Sequence, residues 1–376
     1  MTTLSTVTRG RAAALGAVIA SVALALTGCA SNSSSAPKSD TGSGSGAAST
    51  VAATGNTSKS GLNEPDTNKD GKVVIGILSP GDINDHGYYE SFVDQADAYA
   101  KKMGWTVIKR GNVADSDALS AARALCQQKV DMVALGASEL KDAIPAASEA
   151  VCKGTAWYVP ASDNLDPTPQ IVVSSDDPTV DAVASGYGAG LLMKAKGLTK
   201  AGFVTGQKAD FSVAFAKGFL AGIRQLVPKA TLATTYTGDF NDSAKAKEAV
   251  QAQLNQGAKV IYPYLGGATD AAASLANSAG ALTLTPGTDR CASTSPKFDV
   301  SVIFDPGYFF LAALESFNKD ELKMGVTRVW KMGVDPYPTI KLCHATAAQN
   351  TAMADYIKKI GSGAINTHEV AAKLGG

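Results

Sequence analysis

Short apolar runs alternate with longer amphipathic stretches through most of the chain. In the first half, the apolar runs begin near Val73, Thr106, Met132 and Trp157. Bounded runs rich in β-branched residues predict strands that are buried on both faces. Helical patterns lie between these runs, at Tyr88–Lys102, Asp115–Gln128 and Glu139–Val151. The alternation predicts βα units, with helices on both faces of a parallel sheet and right-handed connections.

A second series of the same kind follows in the other half of the chain. Its apolar runs begin near Phe203, Leu232, Val260 and Leu282, and its helical patterns cover Phe211–Leu226, Ser243–Gln256 and Ala268–Ser278. A local echo supports duplication, because residues 128–133 resemble residues 256–261 in kind. Two series predict two parallel sheets, and a single doubly wound sheet of eight strands is the competing architecture.

The loop after the first strand is the first candidate for a binding site. The apolar run from Val73 to Leu78 is followed by turn formers and polar groups, and then by Tyr88 and Tyr89 at the start of a helical pattern. Loops at the carboxyl ends of parallel strands are where open α/β sheets bind ligands. Asn84 and Asp85 in this loop could accept hydrogen bonds from a ligand, or could instead cap the helix.

Aromatic residues are candidates for the walls of a cleft, because a flat ring can stack on a planar base or on the apolar face of a sugar. We expect Tyr88 and Tyr89 to provide one wall, although at least one of them can pack within its own helix. Tyr264 ends the strand Val260–Tyr264 just before Gly266. Tyr264 is the preferred opposite wall, with Tyr262 or neither as the alternatives.

The first 28 residues have the pattern of a secretory signal peptide. Arg9 and Arg11 precede an apolar stretch, which ends in Leu26-Thr27-Gly28-Cys29. This ending resembles the bacterial lipoprotein box, which implies cleavage before Cys29 and acylation of that residue. The alternative is an ordinary signal peptide with an incidental cysteine. Residues 29–71 follow as a flexible tether rich in Ser, Gly and Ala.

Four cysteines remain after Cys29, and an even number in an exported protein suggests two disulfides. We prefer Cys126–Cys152 and Cys291–Cys343, because each pair falls within one stretch of the chain and closes a modest loop. Four buried thiols are the alternative. No pair has the C-x-x-C spacing of zinc or thioredoxin-like sites.

Composition and motifs argue against several other classes of protein. The 376 residues carry a formal net charge of zero, which gives no sign of a nucleic-acid partner. No G-x-S-x-G, P-loop or H-E-x-x-H pattern occurs, and the three histidines are scattered. Gly186, Gly188 and Gly190 lie inside a helical segment, where they predict close helix packing instead of dinucleotide binding. We therefore expect no enzyme activity, cofactor or metal.

Three motifs together resemble one known family. They are the loop from Asp82 to Tyr88, the segment Phe215–Gly222 and the segment Tyr236–Asp242 with the residues that follow it. The chain is similar over about Lys72–Ile365 to the basic membrane protein family, the purine-nucleoside-receptor type of ABC transporter substrate-binding protein. Within this resemblance Tyr88 matches the stacking aromatic, and Ser138 matches a ligand-lining loop, although Ser138 could equally be a helix N-cap.

The resemblance implies a two-lobed type I periplasmic-binding-protein fold. Each lobe would be a parallel sheet flanked by helices, and three hinge crossings would join the lobes. Lobe I would comprise residues 72–176 and 290–323, lobe II residues 177–289 and 324–345, and residues 346–376 a C-terminal helix and tail. The strand Val300–Phe304 would belong to lobe I and the segment Thr327–Trp330 to lobe II. The crossings would lie near Asp176, Asp289 and Lys323.

The resemblance also implies a function. The protein would be the extracytoplasmic solute-binding lipoprotein of an ABC importer, a monomer anchored to the cell membrane that docks on permease subunits. A surface sensor or adhesin is the alternative use of the same fold. A purine nucleoside is the first ligand candidate, ahead of a free base or a sugar. Asp289 matches one acid of the nucleoside-binding segment, but Gly287 replaces the other and Phe304 replaces a lysine.

Overall fold

The computed structural model describes Leu62, residues 64–161 and residues 165–376. The signal sequence, Cys29 and most of the tether therefore lie outside the described residues, as do Ser162 and Asp163. Within the described part, the chain forms two six-stranded sheets flanked by helices. This arrangement confirms the predicted two-lobed α/β architecture and excludes the single eight-stranded sheet.

The first sheet belongs to the first lobe and is parallel throughout. Its strands, in spatial order, are β11 (Val326–Val329), β5 (Ile171–Ser175), β4 (Ala156–Ala161), β3 (Met132–Leu135), β1 (Val74–Leu78) and β2 (Thr106–Arg110). The helices α1 (Tyr88–Met103), α2 (Ala118–Gln127) and α7 (Pro306–Asn318) cover it. Every residue of β3 is buried, as the continuous apolar run predicts.

The second sheet belongs to the second lobe and is parallel except at one edge, where β12 runs antiparallel to β10. Its order is β12 (Thr339–Leu342), β10 (Val300–Ile303), β9 (Leu282–Gly287), β8 (Val260–Tyr264), β6 (Lys200–Thr205) and β7 (Thr231–Tyr236). Its helices are α3 (Pro178–Lys196), α4 (Asp210–Arg224), α5 (Ser243–Asn255), α6 (Thr269–Ser278), α8 (Ala347–Gly361) and α9 (Thr367–Leu374). The last two pack on this lobe, where Tyr356 stacks on Tyr187 with ring centroids 3.8 Å apart.

Two strand assignments made from the sequence are wrong. The strand at Val300 lies in the second sheet, because it pairs with β9 and all four of its residues are buried there. Conversely, β11 extends the first sheet as an exposed edge strand beside β5. The chain therefore returns to the first lobe after Ile303, and not near Asp289. It crosses for the third time after Val329, and not near Lys323.

One predicted α-helix is absent from the described structure. The stretch Glu139–Val151 forms 3₁₀ segments, Ser138–Ser148 and Ala150–Cys152, in place of an α-helix. Pro145 lies inside the first segment and lacks the backbone N–H that an α-helical hydrogen bond requires. The tighter 3₁₀ turn is a common local alternative.

Glycines in α3 and α4 allow the close helix packing that the sequence predicts. A Cβ added to Gly186 of α3 would overlap the carbonyl oxygen of Phe219 in α4, and one added to Gly222 of α4 would overlap the carbonyl oxygen of Val183. The backbones of α3 and α4 can approach this closely only because both positions lack a side chain. This contact sets α3 firmly against α4 at the point where the chain enters the second lobe.

Both predicted disulfides are confirmed. Cys126–Cys152 ties α2 to the second 3₁₀ segment of the first lobe, with a Cα–Cα distance of 5.0 Å. Cys291–Cys343 ties the β9–β10 connection to the end of β12 in the second lobe, at 4.8 Å. Among the described residues, no helix is both long enough and apolar enough to span a bilayer.

Candidate functional site

A cavity of about 100 Å³ lies between the facing edges of the two sheets, at the carboxyl ends of their strands. Both lobes contribute to its lining, which is dominated by aromatic rings. Its residues are Tyr88, Tyr89, Ala137, Ser138, Glu139, Tyr158, Pro160, Ser174, Asp176, Pro178, Asp181, Phe211, Phe215, Phe240, Tyr264, Leu265, Gly266, Pro286, Phe304, Pro306 and Phe309.

The first-lobe wall begins where α1 starts. Asp85 fixes that start, because its carboxylate accepts hydrogen bonds from the backbone N–H groups of Gly87, Tyr89 and Glu90. Tyr88 and Tyr89 follow in the first turn, with their rings edge to face at 5.4 Å. Burial raises the pKa of both phenols well above the ordinary value, and the nearby carboxylate of Glu139 raises it further. Both hydroxyls are therefore neutral donors at physiological pH.

The second-lobe wall is built from β8, β10 and α4. Tyr264 ends β8, and its ring lies 4.5 Å from that of Phe215 in α4. Phe304 follows β10 and lies between the two walls, 6.0 Å from Tyr88 and 6.1 Å from Tyr264. Tyr262, the alternative to Tyr264, is fully buried under the sheet against Phe203. The rings therefore form a continuous apolar surface from one lobe to the other.

The lobes touch each other around this cavity. A Cβ added to Gly81 in the first lobe would lie 3.2 Å from Oδ1 of Asn241 in the second. On the other side, a Cβ at Gly287 in the second lobe would lie 3.6 Å from Cα of Tyr88 in the first. The two lobes are therefore in contact at both places, so the described conformation is a closed one.

Three carboxyl groups, those of Glu139, Asp176 and Asp181, belong to the polar lining. Asp176 lies at the first crossing, and Asp181 lies in the first turn of α3, whose N-terminus is capped by Asp177. Burial raises the pKa of Asp181 well above its usual range, and the charge of neighbouring Asp176 raises it further. The two side chains are hydrogen-bonded to each other. Two carboxylates cannot both ionise in such a place, so the pair holds a proton between them.

Five of the candidate residues from the sequence meet in this cavity, and three do not. Tyr88, Tyr89, Ser138, Tyr264 and Gly266 line it. Asn84 is exposed and donates its amide to Asp82, while Asp85 caps α1 as the alternative reading proposed. Asp289 is exposed and accepts a hydrogen bond from Nζ of Lys341 at 2.6 Å. His86, in the same loop as Asn84, faces solvent and Glu90.

Several lining residues carried too weak a signal to be selected from the sequence. Phe211 and Phe215 are four residues apart on α4, a spacing that places both on one helix face but is equally typical of a core. Asp181 is one acid among three near a helix start, where capping is the ordinary role. Tyr158 and Ser174 lie within strands that read as buried.

The chemistry of the cavity is that of a binding site for a small molecule. The rings offer flat apolar contact, and the carboxyl and hydroxyl groups offer a few fixed polar contacts, which is the usual make-up of a small-molecule site. Among the described residues, no group of three or more His, Cys, Asp or Glu side chains could hold a metal ion.

Comparison with known proteins agrees with this geometry. Residues 72–337 match the family model described as ABC transporter substrate-binding protein PnrA-like, Bmp. A stretch of 84 residues is 34% identical to the ABC transporter nucleoside-binding protein BmpA of Lactococcus lactis, covering 22% of this chain and 24% of that one. Another of 129 residues is 29% identical to a CD4+ T-cell-stimulating antigen of Listeria monocytogenes, covering 34% and 35%. These alignments thus span about a quarter and a third of the two relatives.

Solved structures share the fold. An ABC transporter solute-binding protein from Conexibacter woesei superposes with a TM-score of 0.61 at 21% identity, over 78% of this chain and 98% of that one. A solute-binding protein of the same kind from Aeropyrum pernix gives a TM-score of 0.62 at 15% identity, over 81% and 90%.

Proposed function

The chain belongs to the Bmp family of PnrA-like ABC transporter substrate-binding proteins, and from this premise we propose that it is the receptor of an ABC importer. In this role it captures a small solute in the cavity between its lobes and presents the closed complex to permease subunits. The observation that carries the proposal is the aromatic lining shared by the two lobes. A solute held there contacts both lobes at once, so binding favours the closed conformation.

The ligand set follows from the shape of the lining. Tyr88, Tyr264 and Phe304 present flat surfaces, which suit a planar base or the apolar face of a sugar ring. A purine nucleoside is the first candidate, because one relative is named as a nucleoside-binding protein. A free base and a sugar follow it. Gly287 offers no side chain for ribose hydroxyls, so the carboxyl groups on the opposite side of the cavity are the available acceptors.

The receptor acts outside the cytoplasm, held to the membrane by lipid on Cys29. The two disulfides support an oxidising compartment. More than one acyl chain on a residue is sufficient for stable anchoring, whereas a single chain is marginal. A Cys29→Ser variant should leave the membrane fraction and appear in the medium, and its retention in the membrane fraction would contradict the anchor.

The lobes are proposed to move as two bodies about their three crossings. The first comprises residues 72–176 with 305–329, and the second residues 177–304 with 330–345. Residues 346–376 extend the second, since Nη1 of Arg224 in α4 donates to the carbonyl oxygen of Leu374 at 2.9 Å. The protein is proposed to work as a monomer.

Native mass spectrometry of the protein purified under mild conditions tests the proposal. We expect a bound solute whose mass is lost on unfolding. A thermal-shift panel of nucleosides, bases and sugars then ranks the candidates. A ligand at one hundred times its dissociation constant stabilises the fold by about 2.7 kcal/mol, which is a visible shift. If native mass spectrometry finds no bound solute and no compound of the panel stabilises the protein, the receptor function is contradicted.

A further inference from the structure

The charged side chains that line the cavity all have one sign. Asp176, Asp181 and Glu139 are acidic, and none of the described lining residues is Lys, Arg or His. Their influence is felt across the cavity, since the charges of Glu139 and Asp176 help to raise the pKa of Tyr88. Whatever fills the closed cavity therefore sits in a region of negative potential.

Asp181 has an oxygen atom that nothing in the described structure satisfies. The residue is only 2% exposed, and its Oδ1 is buried without a hydrogen-bond partner, although the side chain is bonded to Asp176. Burying a carboxyl oxygen without a partner is costly. Asp181 also lines the cavity, so a donor group of the ligand is the partner that we expect for this oxygen.

The aromatic lining also favours a positively charged ligand. The face of each ring carries the negative part of its quadrupole, which attracts a cation within about 6 Å of the centroid. Tyr88, Tyr264 and Phe304 surround one side of the cavity with centroids about that far apart. Phe211, Phe215 and Phe240 extend this wall in the second lobe. Rings and carboxyl groups together make an enclosure suited to an organic cation.

We propose that the ligand of this receptor is a small organic cation, with a protonated amine whose N–H groups donate to Asp176 and Asp181 and an apolar body between the aromatic walls. This inference rests on the proposed receptor function and puts a cation in place of the neutral solutes named there as the first candidate. When the cation binds, the carboxyl pair gives up its shared proton to solvent, and the positive nitrogen replaces that proton. A neutral polyol or nucleoside, whose hydroxyls would donate to the same carboxyl groups, is the competing occupant.

Calorimetry on the full protein in detergent, with matched pairs of compounds, separates the two occupants. Phenethylamine is compared with its uncharged analogue phenethyl alcohol, and tryptamine with tryptophol, so that each pair differs mainly in charge. Adenosine, adenine and ribose serve as neutral candidates. We expect at least one cation to bind about 10- to 100-fold more tightly than its neutral partner, the range of a charge-assisted contact.

The isosteric variant Asp181→Asn adds a second test. It should weaken the binding of the cation about 10- to 100-fold and change that of a neutral compound less than about 3-fold. Asp94→Asn, which removes an exposed charge from α1, is the matched control and should change neither. Urea unfolding of each variant shows whether it is folded. The comparison of charged and neutral compounds uses the wild type, so it tests the inference even if a variant does not fold.

The outcomes separate the inference from the receptor function. Tight binding of a cation that is lost in Asp181→Asn supports both. Binding of adenosine, adenine or ribose without a preference for either cation overturns the inference and leaves the receptor function standing. A protein that binds none of these compounds, and from which native mass spectrometry releases no solute, overturns both.

Discussion

The ring of Tyr89 in the first lobe lies directly against Gly266 in the second. A Cβ added to Gly266 would be 3.0 Å from Cε2 of Tyr89 and 2.8 Å from Oδ1 of Asn241. Tyr89 is 5% exposed, so its ring is buried in this conformation. Closure of the two lobes therefore depends on the absence of a side chain at residue 266.

Gly266→Val should obstruct the closed conformation while leaving each lobe folded. We expect ligand affinity to fall about tenfold or more, because overpacking a close contact commonly costs 1–3 kcal/mol. Calorimetry on the best ligand measures the loss. Gly267→Ala is the control, since its added Cβ would meet only Asn241 of the same lobe, at 3.3 Å. Equal affinities for the wild type and Gly266→Val would show that closure does not need this contact.

Removing either aromatic wall should weaken binding strongly. Tyr88→Ala and Tyr264→Ala each delete a partly buried ring that a bound solute would contact, and such anchors are commonly worth 2 kcal/mol or more, which is about 30-fold in affinity. Thermal shifts with the best ligand should largely vanish. Tyr88→Phe and Tyr264→Phe keep the ring face and should retain most of the shift. If both alanine variants are stabilised like the wild type, the ligand does not lie between these rings.

The stability of the ligand-free protein should depend on Asp181 in a pH-dependent way. Burial, helped by the charge of Asp176, raises the folded-state pKa of Asp181 above its unfolded value of about 3.9. Its favourable contribution is therefore complete below that unfolded value, and it is lost as pH rises through the folded-state pKa.

Asp181→Asn removes this titration. The variant should gain about 1–3 kcal/mol in free energy of unfolding at neutral pH relative to the wild type, and the gain should shrink towards pH 4. Urea unfolding at both pH values measures it. If the stability difference between variant and wild type is constant with pH, the pKa of Asp181 is not raised in the folded state. If the difference grows on acidification, the pKa shift has the opposite sign.

The disulfides should contribute separately to the two lobes. The loop of 26 residues closed by Cys126–Cys152 gives about 3.5 kcal/mol in the chain-entropy model, and the loop of 52 closed by Cys291–Cys343 gives about 4 kcal/mol. Replacing the first pair by serine should lower the urea midpoint of the first-lobe transition while ligand binding persists below it. The double serine variant of the second pair is the comparison. Unchanged urea midpoints in both serine variants would show that neither disulfide stabilises its lobe.

The sequence predicted local structure well, but it placed two strands in the wrong sheet. The strands near Val73, Met132 and Val260 form where their apolar runs predict, because burial on both faces leaves a clear local signal. Which sheet the strand at Val300 joins is decided by pairing with β9, a contact that no local pattern encodes. The exposed β11 has no buried face at all, so its pattern carried little information.

The residues of the candidate site also differ in whether the sequence alone could predict them. Tyr88 could be selected because it begins the helix that follows the first strand and its loop, and Tyr264 because it ends a strand. Asp181 could not, because only the approach of the first lobe makes its position in α3 part of a cavity. Asp85 was selected for its loop, but three backbone N–H groups occupy its carboxylate.

The central claim is that the two lobes close on a solute held between their aromatic walls. A crystal structure of the complex with the tightest ligand from the panel tests this most directly. We expect density in the cavity that contacts the rings of Tyr88 and Tyr264 and lies within hydrogen-bonding distance of Asp181. Density for the ligand elsewhere on the protein, with the cavity filled only by water, would contradict the claim.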